Sequence, residues 1–417
     1  MEYDAARIEV LEGREAVRKR PGMWVGSVTE RGLHQLVFEV VGRAVNEVSA
    51  TGAGRAGAGR VDVTLMSDGG VRVADDGPGA AFEAPAAGDV GSPGLEALLT
   101  SMCAGSEPSG QHLVGVGHFG VGLFVANALS SWLTAEVRRE GVRRTQEYAR
   151  GVALAPPALI PTALTPPALT PTALTPPSAT GPATGSGTTL AFWPDAGIFE
   201  TTSCSFAVLA ERFRQVAFLN RGLEISLTDE RPAGGARVVR FRFPDGVRDF
   251  VSALDAEAGA SLHPDVIGFE REDPRMAGTM EVAFLWSGTR WNGSREERVR
   301  GFANSRATPQ GGTHVDGFRD GVAAAVTSYA RKRGLLTAVE VGPGPVADRI
   351  GEGLTAVVSV KLDRPEFLGA TIGLLGNPEV RACVGEAVRE CLDGWFEEHP
   401  ERAAEIVDRI ARGTTQD

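Results

Sequence analysis

Residues 31–50, RGLHQLVFEVVGRAVNEVSA, decide how the chain is read. Leu33, Val37, Val40, Val41, Ala44, Val45 and Val48 recur at helical spacing, so one face of a single amphipathic helix is core. Glu39 and Arg43 stand four apart on its polar side, one turn from Asn46. Further along, a strand ends in Asp75-Asp76-Gly77, and a glycine-rich segment occupies 115–122. A carboxylate on a packed helix, an acidic strand end and a glycine-rich turn together describe a nucleotide pocket.

Around this helix the first half alternates helix and strand. Arg60 to Met66 sends Val61, Val63 and Leu65 to one face, Ser67-Asp-Gly-Gly70 makes a hairpin turn, and Val71 to Asp75 returns. A helix over 122–130 follows the glycine-rich segment, with strands near 132–137 and 143–149. From about 215 the pattern restarts, with strands RVVRFRF (237–243) and TMEVAFLW (279–286). A helix after Gly311-Gly-Thr-His314, the strand LTAVVSVKL (354–362) and a long helix from Pro378 complete it. The spacing predicts an α+β chain in two domains, 1–214 and 215–394, with a charged helical tail over 395–417. A Pro/Ala/Thr-rich loop, 155–186, interrupts the first. Its core, 161–180, repeats PTALT, PPALT, PTALT, PPSAT, and proline at that density forbids helices and sheet ladders. It reads as an expanded surface loop, either a tolerated insertion or a partner-docking segment.

The 417 residues suffice for two cores. A net charge of −11 argues against a free-standing, non-specific nucleic-acid binder. Cys103, Cys204, Cys383 and Cys391 match neither metal nor disulfide spacing and read as buried thiols of a reducing compartment. With no signal-peptide pattern at the start and no apolar run long enough to span a bilayer, the expectation is a cytoplasmic protein without a membrane partner.

Eight segments carry a resemblance. They are Arg18-Lys-Arg-Pro-Gly-Met-Trp-Val-Gly26, Phe38-Glu-Val-Val41, Val73-Ala-Asp-Asp-Gly-Pro-Gly79, and Gly120-Val-Gly122 with Asn127-Ala-Leu-Ser130. Gly187-Thr-Thr-Leu-Ala-Phe-Trp-Pro194, Phe218-Leu-Asn220 and Gly311-Gly-Thr-His-Val-Asp-Gly-Phe-Arg319 continue the series. In this order they closely resemble the DNA gyrase B family, along nearly the whole chain apart from the Pro-rich loop. The resemblance implies a GHKL (Bergerat-type) α/β sandwich with ATPase activity, followed by a ribosomal-S5-like transducer domain. The family's next part, a metal-binding DNA-cleavage domain with an EGDSA-type motif, has no counterpart in these residues, so the chain looks like the ATPase region alone.

The same resemblance assigns roles. Glu39 matches the general base that polarises the water attacking the γ-phosphate. Asp75 matches the aspartate that accepts a hydrogen bond from the adenine amino group, and Thr188 the threonine that supports this contact through water. Gly77 and Gly79 let the chain turn close to the base. Gly117, Gly120, Val121 and Gly122 offer backbone N–H groups to phosphate at a helix start. Arg139 matches an arginine at the mouth of the site, where aminocoumarin inhibitors bind. The implied ligand is ATP or another adenine nucleotide. The implied partners are a second copy, joined through the N-terminal arm (Tyr3 to Leu11, with Ile8 matching a dimer contact), and other gyrase subunits. Without the cleavage domain, DNA contact is not expected.

Departures from the family pattern gather on the phosphate side. The Mg²⁺-binding asparagine, four residues after the base, is Arg43; a guanidinium has donors but no acceptor and cannot ligate a cation. Cys103-Ala-Gly-Ser-Glu-Pro108 puts Glu107 where a phosphate-binding lysine is expected, and His112-Leu113 replaces a tyrosine–lysine pair. Val116 and Phe119 narrow the glycine loop. The transducer's Gln-Thr-Lys loop reads Ala370-Thr371-Ile372, and Pro78 replaces an arginine that ion-pairs with the Glu47 position. All these losses touch the triphosphate and its metal, while the adenine half is intact. Weak or lost Mg²⁺-dependent hydrolysis is therefore expected. Two readings of Arg43 stay open: a fixed charge replacing the cation beside Glu39, or an ion pair with Glu39 that closes the pocket. Three functions compete: an active ATP-hydrolysing topoisomerase subunit, a pseudo-ATPase acting as decoy, resistance or regulatory factor, and a structural partner in mixed dimers. Arg290, Arg295, Arg298 and Arg300 read either as lining of the transducer cavity or as a solvated face.

Overall fold

In the computed structural model the amphipathic stretch is a helix over Glu30–Ser49, and all seven apolar positions named above are buried. The structure describes residues 13–49, 59–81, 94–102, 113–116, 122–154, 185–256, 265–286, 298–334, 351, 353–369 and 372–412. They fall into two compact units. The first draws on Met1–Ser109, Gly115–Ala217 and Gly222–Arg242, the second on Gly110–Val114, Phe218–Arg221 and Phe243–Asp417.

In the first unit α1 (Gly13–Lys19), α2 (Gly22–Val25) and α3 (Glu30–Ser49) precede β1 (Arg60–Leu65) and β2 (Val71–Asp75). The expected hairpin closes with Met66 N donating to Gly70 O at 2.8 Å. Then come α4 (Leu95–Thr100), α5 (Gly122–Ala128), β3 (Ser130–Arg139), β4 (Val142–Ala149), β5 (Val152–Ala153), β6 (Gly187–Pro194) and α6 (Phe206–Leu219). β7 (Glu224–Asp229) and β8 (Arg237–Arg242) complete an eight-stranded sheet ordered β5-β4-β3-β6-β2-β1-β7-β8, in which only the β1–β7 pairing is parallel. The two-residue period of β2 buries Val71, Val73 and Asp75 and exposes Arg72. Helix α3 packs against β1, β2 and β6. Strand alternation thus delivers Asp75 beneath α3.

One expectation needs correcting. The strand within RVVRFRF does not open the second domain. β8 pairs with β7, and β7 runs parallel to β1, so both extend the first sheet: Gly222–Arg242 belong to the first unit, while Phe218–Arg221 and Phe243–Asp417 belong to the second. The cause lies in β7, where Ile225 and Leu227 stand opposite Val61 and Val63 and are fully buried with them.

The second unit begins with α7 (Val247–Ala256), β9 (Ile267–Asp273), β10 (Gly278–Trp286), β11 (Arg298–Ala303), β12 (Arg306–Ala307), α8 (Thr313–Lys332) and β13 (Leu354–Leu362). Its sheet has the order β12-β11-β13-β10-β9, and β11 lies parallel to β13, the strand that follows α8. A small pair, β14 (Phe367–Leu368) and β15 (Leu374–Leu375), leads to α9 (Pro378–Glu398) and α10 (Pro400–Arg412). Phe218, Leu219 and α7 cover one face of the sheet; α8 and α9 cover the other. The tail expected over 395–417 is not a tail: Ala403, Ile406, Val407 and Ile410 of α10 are buried in the same cluster as Leu392 and Phe396. Arg298 donates to Leu254 O, and the Arg300 guanidinium lies 5.8 Å from the centroid of the Phe250 ring, so both lean on α7.

Cys204 and Cys383 are buried and Cys391 is half-buried. No helix among the described residues is long and apolar enough to cross a membrane. The N-terminal arm, the Pro-rich repeat, residues 103–108, His112, Gly117, Phe119, Gly120, Val121, Arg290, Arg295, Ala370 and Thr371 lie outside the described residues.

Candidate functional site

Glu39, Arg43 and Glu47 recur every fourth residue on α3 and so form one stripe beside the end of β2. Between the stripe and the strand end lies a narrow cleft. Val40, Arg43, Ala44 and Glu47 of α3 wall it on one side, Val73 and Asp75 of β2 with Thr188 and Leu190 of β6 on another, and Ala80 and Leu95 close it. Six of these side chains are apolar, and the carboxyl of Asp75 sits among them. An apolar lining with one carboxyl at its end suits an apolar ring that carries a hydrogen-bond donor.

Asp75 is 6 % exposed. Its Oδ1 accepts from Gly77 N at 3.0 Å and Thr188 N at 3.2 Å, which leaves Oδ2 to face a ligand. Burial pushes the carboxyl up to about 7; the two N–H donors and the Arg43 guanidinium hold it down, and the Glu47 carboxylate adds to the upward push. Thr188 Oγ1 accepts from Ala80 N at 3.1 Å, so its own proton is turned away from that bond. The glycines between them are demanded by space. A β-carbon on Gly77 would lie 2.9 Å from Glu47 Cγ, and one on Gly79, at φ +83, would lie 2.4 Å from Arg138 O. Arg139 donates to Gly79 O at 3.3 Å and to Glu140 at 3.1 Å, which places it against the turn at the edge of the cleft.

The phosphate side is arranged differently from either open reading of Arg43. The Arg43 guanidinium pairs with Glu47, one turn onward, not with Glu39. Glu39 is engaged elsewhere: its Oε2 accepts from Gly122 N, at the start of α5, at 3.1 Å. A carboxylate at a helix N-terminus is well placed electrostatically, so the competition between two carboxylates for Arg43 falls to Glu47. A group with no acceptor, already tied to a carboxylate, does not fit the position of a Mg²⁺ ligand.

Two supporting residues escaped the sequence. Arg212 of α6 donates from its guanidinium to Val116 O (2.9 Å) and Gly115 O (3.3 Å), fixing the entry to the glycine-rich segment. Gly42, between Glu39 and Arg43, receives Val116: a β-carbon there would lie 3.5 Å from Val116 Cβ. A glycine inside a long helix was the available signal for a close approach; nothing local marks Arg212. Ile372, in the second unit, holds a left-handed φ of +54, rare for a β-branched residue.

Comparison with known proteins follows this geometry. Residues 246–417 match the family model described as DNA gyrase B. The B subunit of DNA gyrase from Streptomyces coelicolor is 42 % identical, over 97 % of this chain and 56 % of its own length. That of Mycobacterium tuberculosis is 36 % identical, over 98 % and 59 %. The chain therefore spans somewhat more than half the length of the curated relatives it matches. Among solved structures, the 43K ATPase domain of Thermus thermophilus gyrase B in complex with an aminocoumarin is 31 % identical. It has a TM-score of 0.74 and covers 96 % of this chain and 94 % of its own.

Proposed function

Because the chain belongs to the DNA gyrase B family, we propose that its first unit binds an adenine nucleotide through Asp75 and Thr188 without using Mg²⁺, and turns ATP over weakly or not at all. The observation that carries this reading is the Arg43–Glu47 ion pair at the position where the family places its metal ligand. With the amino-purine end retained and the metal end replaced, adenosine contributes most of the affinity and the phosphates add little. Removing a charged group from a shielded phosphoryl-transfer site takes away several kcal/mol of transition-state stabilisation, which slows hydrolysis by orders of magnitude.

The test is calorimetry with adenosine, ADP and ATP, in Mg²⁺ and in EDTA, alongside phosphate release. The expected outcome is adenosine and ATP affinities within about threefold of each other, unmoved by EDTA, and no multiple-turnover phosphate release. A tenfold Mg²⁺-dependent gain in ATP affinity with steady turnover would return the chain to the active-enzyme reading. Arg139 at the cleft edge favours a second reading, in which the chain keeps an aminocoumarin-binding surface and acts as a decoy or resistance factor. Dimerisation through the N-terminal arm, assembly with gyrase subunits and a cytoplasmic location belong to the same proposal.

A further inference from the structure

We propose that Arg43 serves the purine end of the cleft rather than the phosphate end: by neutralising Glu47 it keeps Asp75 a hydrogen-bond acceptor, and so makes the cleft selective for 6-amino purines. This rests on the purine-binding reading above and adds to it a specificity-determining role for Arg43.

The geometry sets two carboxylates against one small space. Glu47 of α3 and Asp75 of β2 both border Gly77, where a β-carbon would lie 2.9 Å from Glu47 Cγ and 3.0 Å from Asp75 Oδ1. Both are largely shielded: Asp75 is 6 % exposed, and the Glu47 side chain 12 %. Two like charges so placed cannot both ionise cheaply unless a cation stands beside them. From α3 that cation is Arg43, tied to Glu47. Two other charged groups lie near Asp75. Asp76, next in the chain, accepts from Arg60 N at 2.8 Å, and Arg138 of β3, which reaches Gly187, lies 3.9 Å from Glu136. From β6, Thr188 presents only its N–H and hydroxyl.

The chemistry of selection follows from the oxygens. Asp75 Oδ1 is filled by two N–H donors, so any proton the carboxyl takes resides on Oδ2, the oxygen facing the cleft. Ionised, Oδ2 accepts and matches an exocyclic amine. Protonated, it donates and matches a 6-substituent that is an acceptor, such as a 6-alkoxy group. The hydroxyl proton of Thr188, directed away from Ala80 N, pairs with the acceptor nitrogen N1 in both cases. Removing Arg43 leaves Glu47 uncompensated beside Asp75, which then holds its proton to higher pH. The upward push that Glu47 exerts on Asp75, and the downward one from Arg43, run in this direction.

The experiment measures the affinity of adenosine, of 6-methoxypurine riboside and of ATP between pH 5.5 and 8.5 for the full chain and for R43Q, R43K, E47Q and R43Q/E47Q. In the parent chain adenosine binding is expected to weaken at least tenfold towards low pH while the methoxy analogue strengthens. R43Q is expected to move the midpoint of that exchange up by at least one pH unit. R43K and the double variant stay near the parent, and E47Q moves it down. A purely structural role for Arg43 predicts equal weakening of both ligands with no shift of midpoint, and that result overturns the proposal. So does an R43Q that loses ATP but keeps the adenosine profile, since it puts Arg43 on phosphate. Failure of every variant, parent included, to bind either riboside would overturn the purine-binding reading itself. An unmoved midpoint overturns only the role of Arg43.

Discussion

At Asp75 a carboxyl stands where ionisation is costly. An acid whose folded-state pKa lies above its unfolded value binds its proton more tightly in the native state, so folding is penalised as pH rises through that interval. For Asp75 the window runs from the ordinary carboxylate value near 4 to about 7. Asp75→Asn keeps an oxygen for Gly77 N and Thr188 N but cannot ionise. It is expected to be more stable than the parent at pH 8, by at most roughly 4 kcal/mol, and little different at pH 4. Urea unfolding at the two pH values checks this; an equal gain at both would mean that the carboxyl is not the source. The same substitution should abolish adenosine binding. Asp75 could be singled out in the sequence as the acidic end of a strand that matches the family's adenine aspartate; its burial with Val71 and Val73 follows from the alternation of VRVAD in the structure. The partner of Arg43 could not be singled out. Carboxylates flank it four residues away on both sides, Glu39 and Glu47, and the choice is made by the N–H of Gly122, 83 residues from Glu39. Helical spacing supplies candidates for an ion pair; a distant backbone donor selects among them.

Elements follow a related logic. The helix α3 and the β1–β2 hairpin were readable because each carries its own periodicity and its own turn chemistry. The strand β8 was not assignable, because alternation shows that a strand exists without saying which sheet receives it. For α10 the information was present: Ala403, Ile406, Val407 and Ile410 recur at intervals of three and four, a packed face rather than a solvated tail. The charged residues between them disguised it. Ile406 is 2 % exposed, so Ile406→Ala should cost about 2–5 kcal/mol through lost transfer energy and a residual cavity. Glu405→Ala, on the exposed side of the same turn, should change stability by less than about 0.5 kcal/mol. Denaturant unfolding of the two variants decides the matter. Two silent substitutions would return α10 to the status of an appendage.

For the molecule as a whole the question is how a chain with a twenty-residue proline repeat keeps one register in its larger sheet. Thirty-three residues separate Ala153, the end of β5, from Gly187, the start of β6. The strands they join are held independently of the connection: β5 pairs with β4, and β6 lies between β3 and β2 with hydrogen bonds on both sides. Register is therefore set by cross-strand pairs such as Leu133 with Phe192 and Val73 with Leu190, all four buried. The entropy of closing a loop grows only with the logarithm of its length. Deleting residues 161–180 shortens the connection to thirteen residues and should stabilise the fold by about 0.8 kcal/mol if nothing else changes. In a domain of this size that is an upward shift in melting temperature of no more than about 3 °C, with adenosine affinity unchanged within twofold. A melting temperature lowered by more than about 5 °C, or a loss of adenosine binding, would show instead that the repeat packs on the sheet or guards the cleft. That outcome would turn a tolerated insertion into a working part of the site.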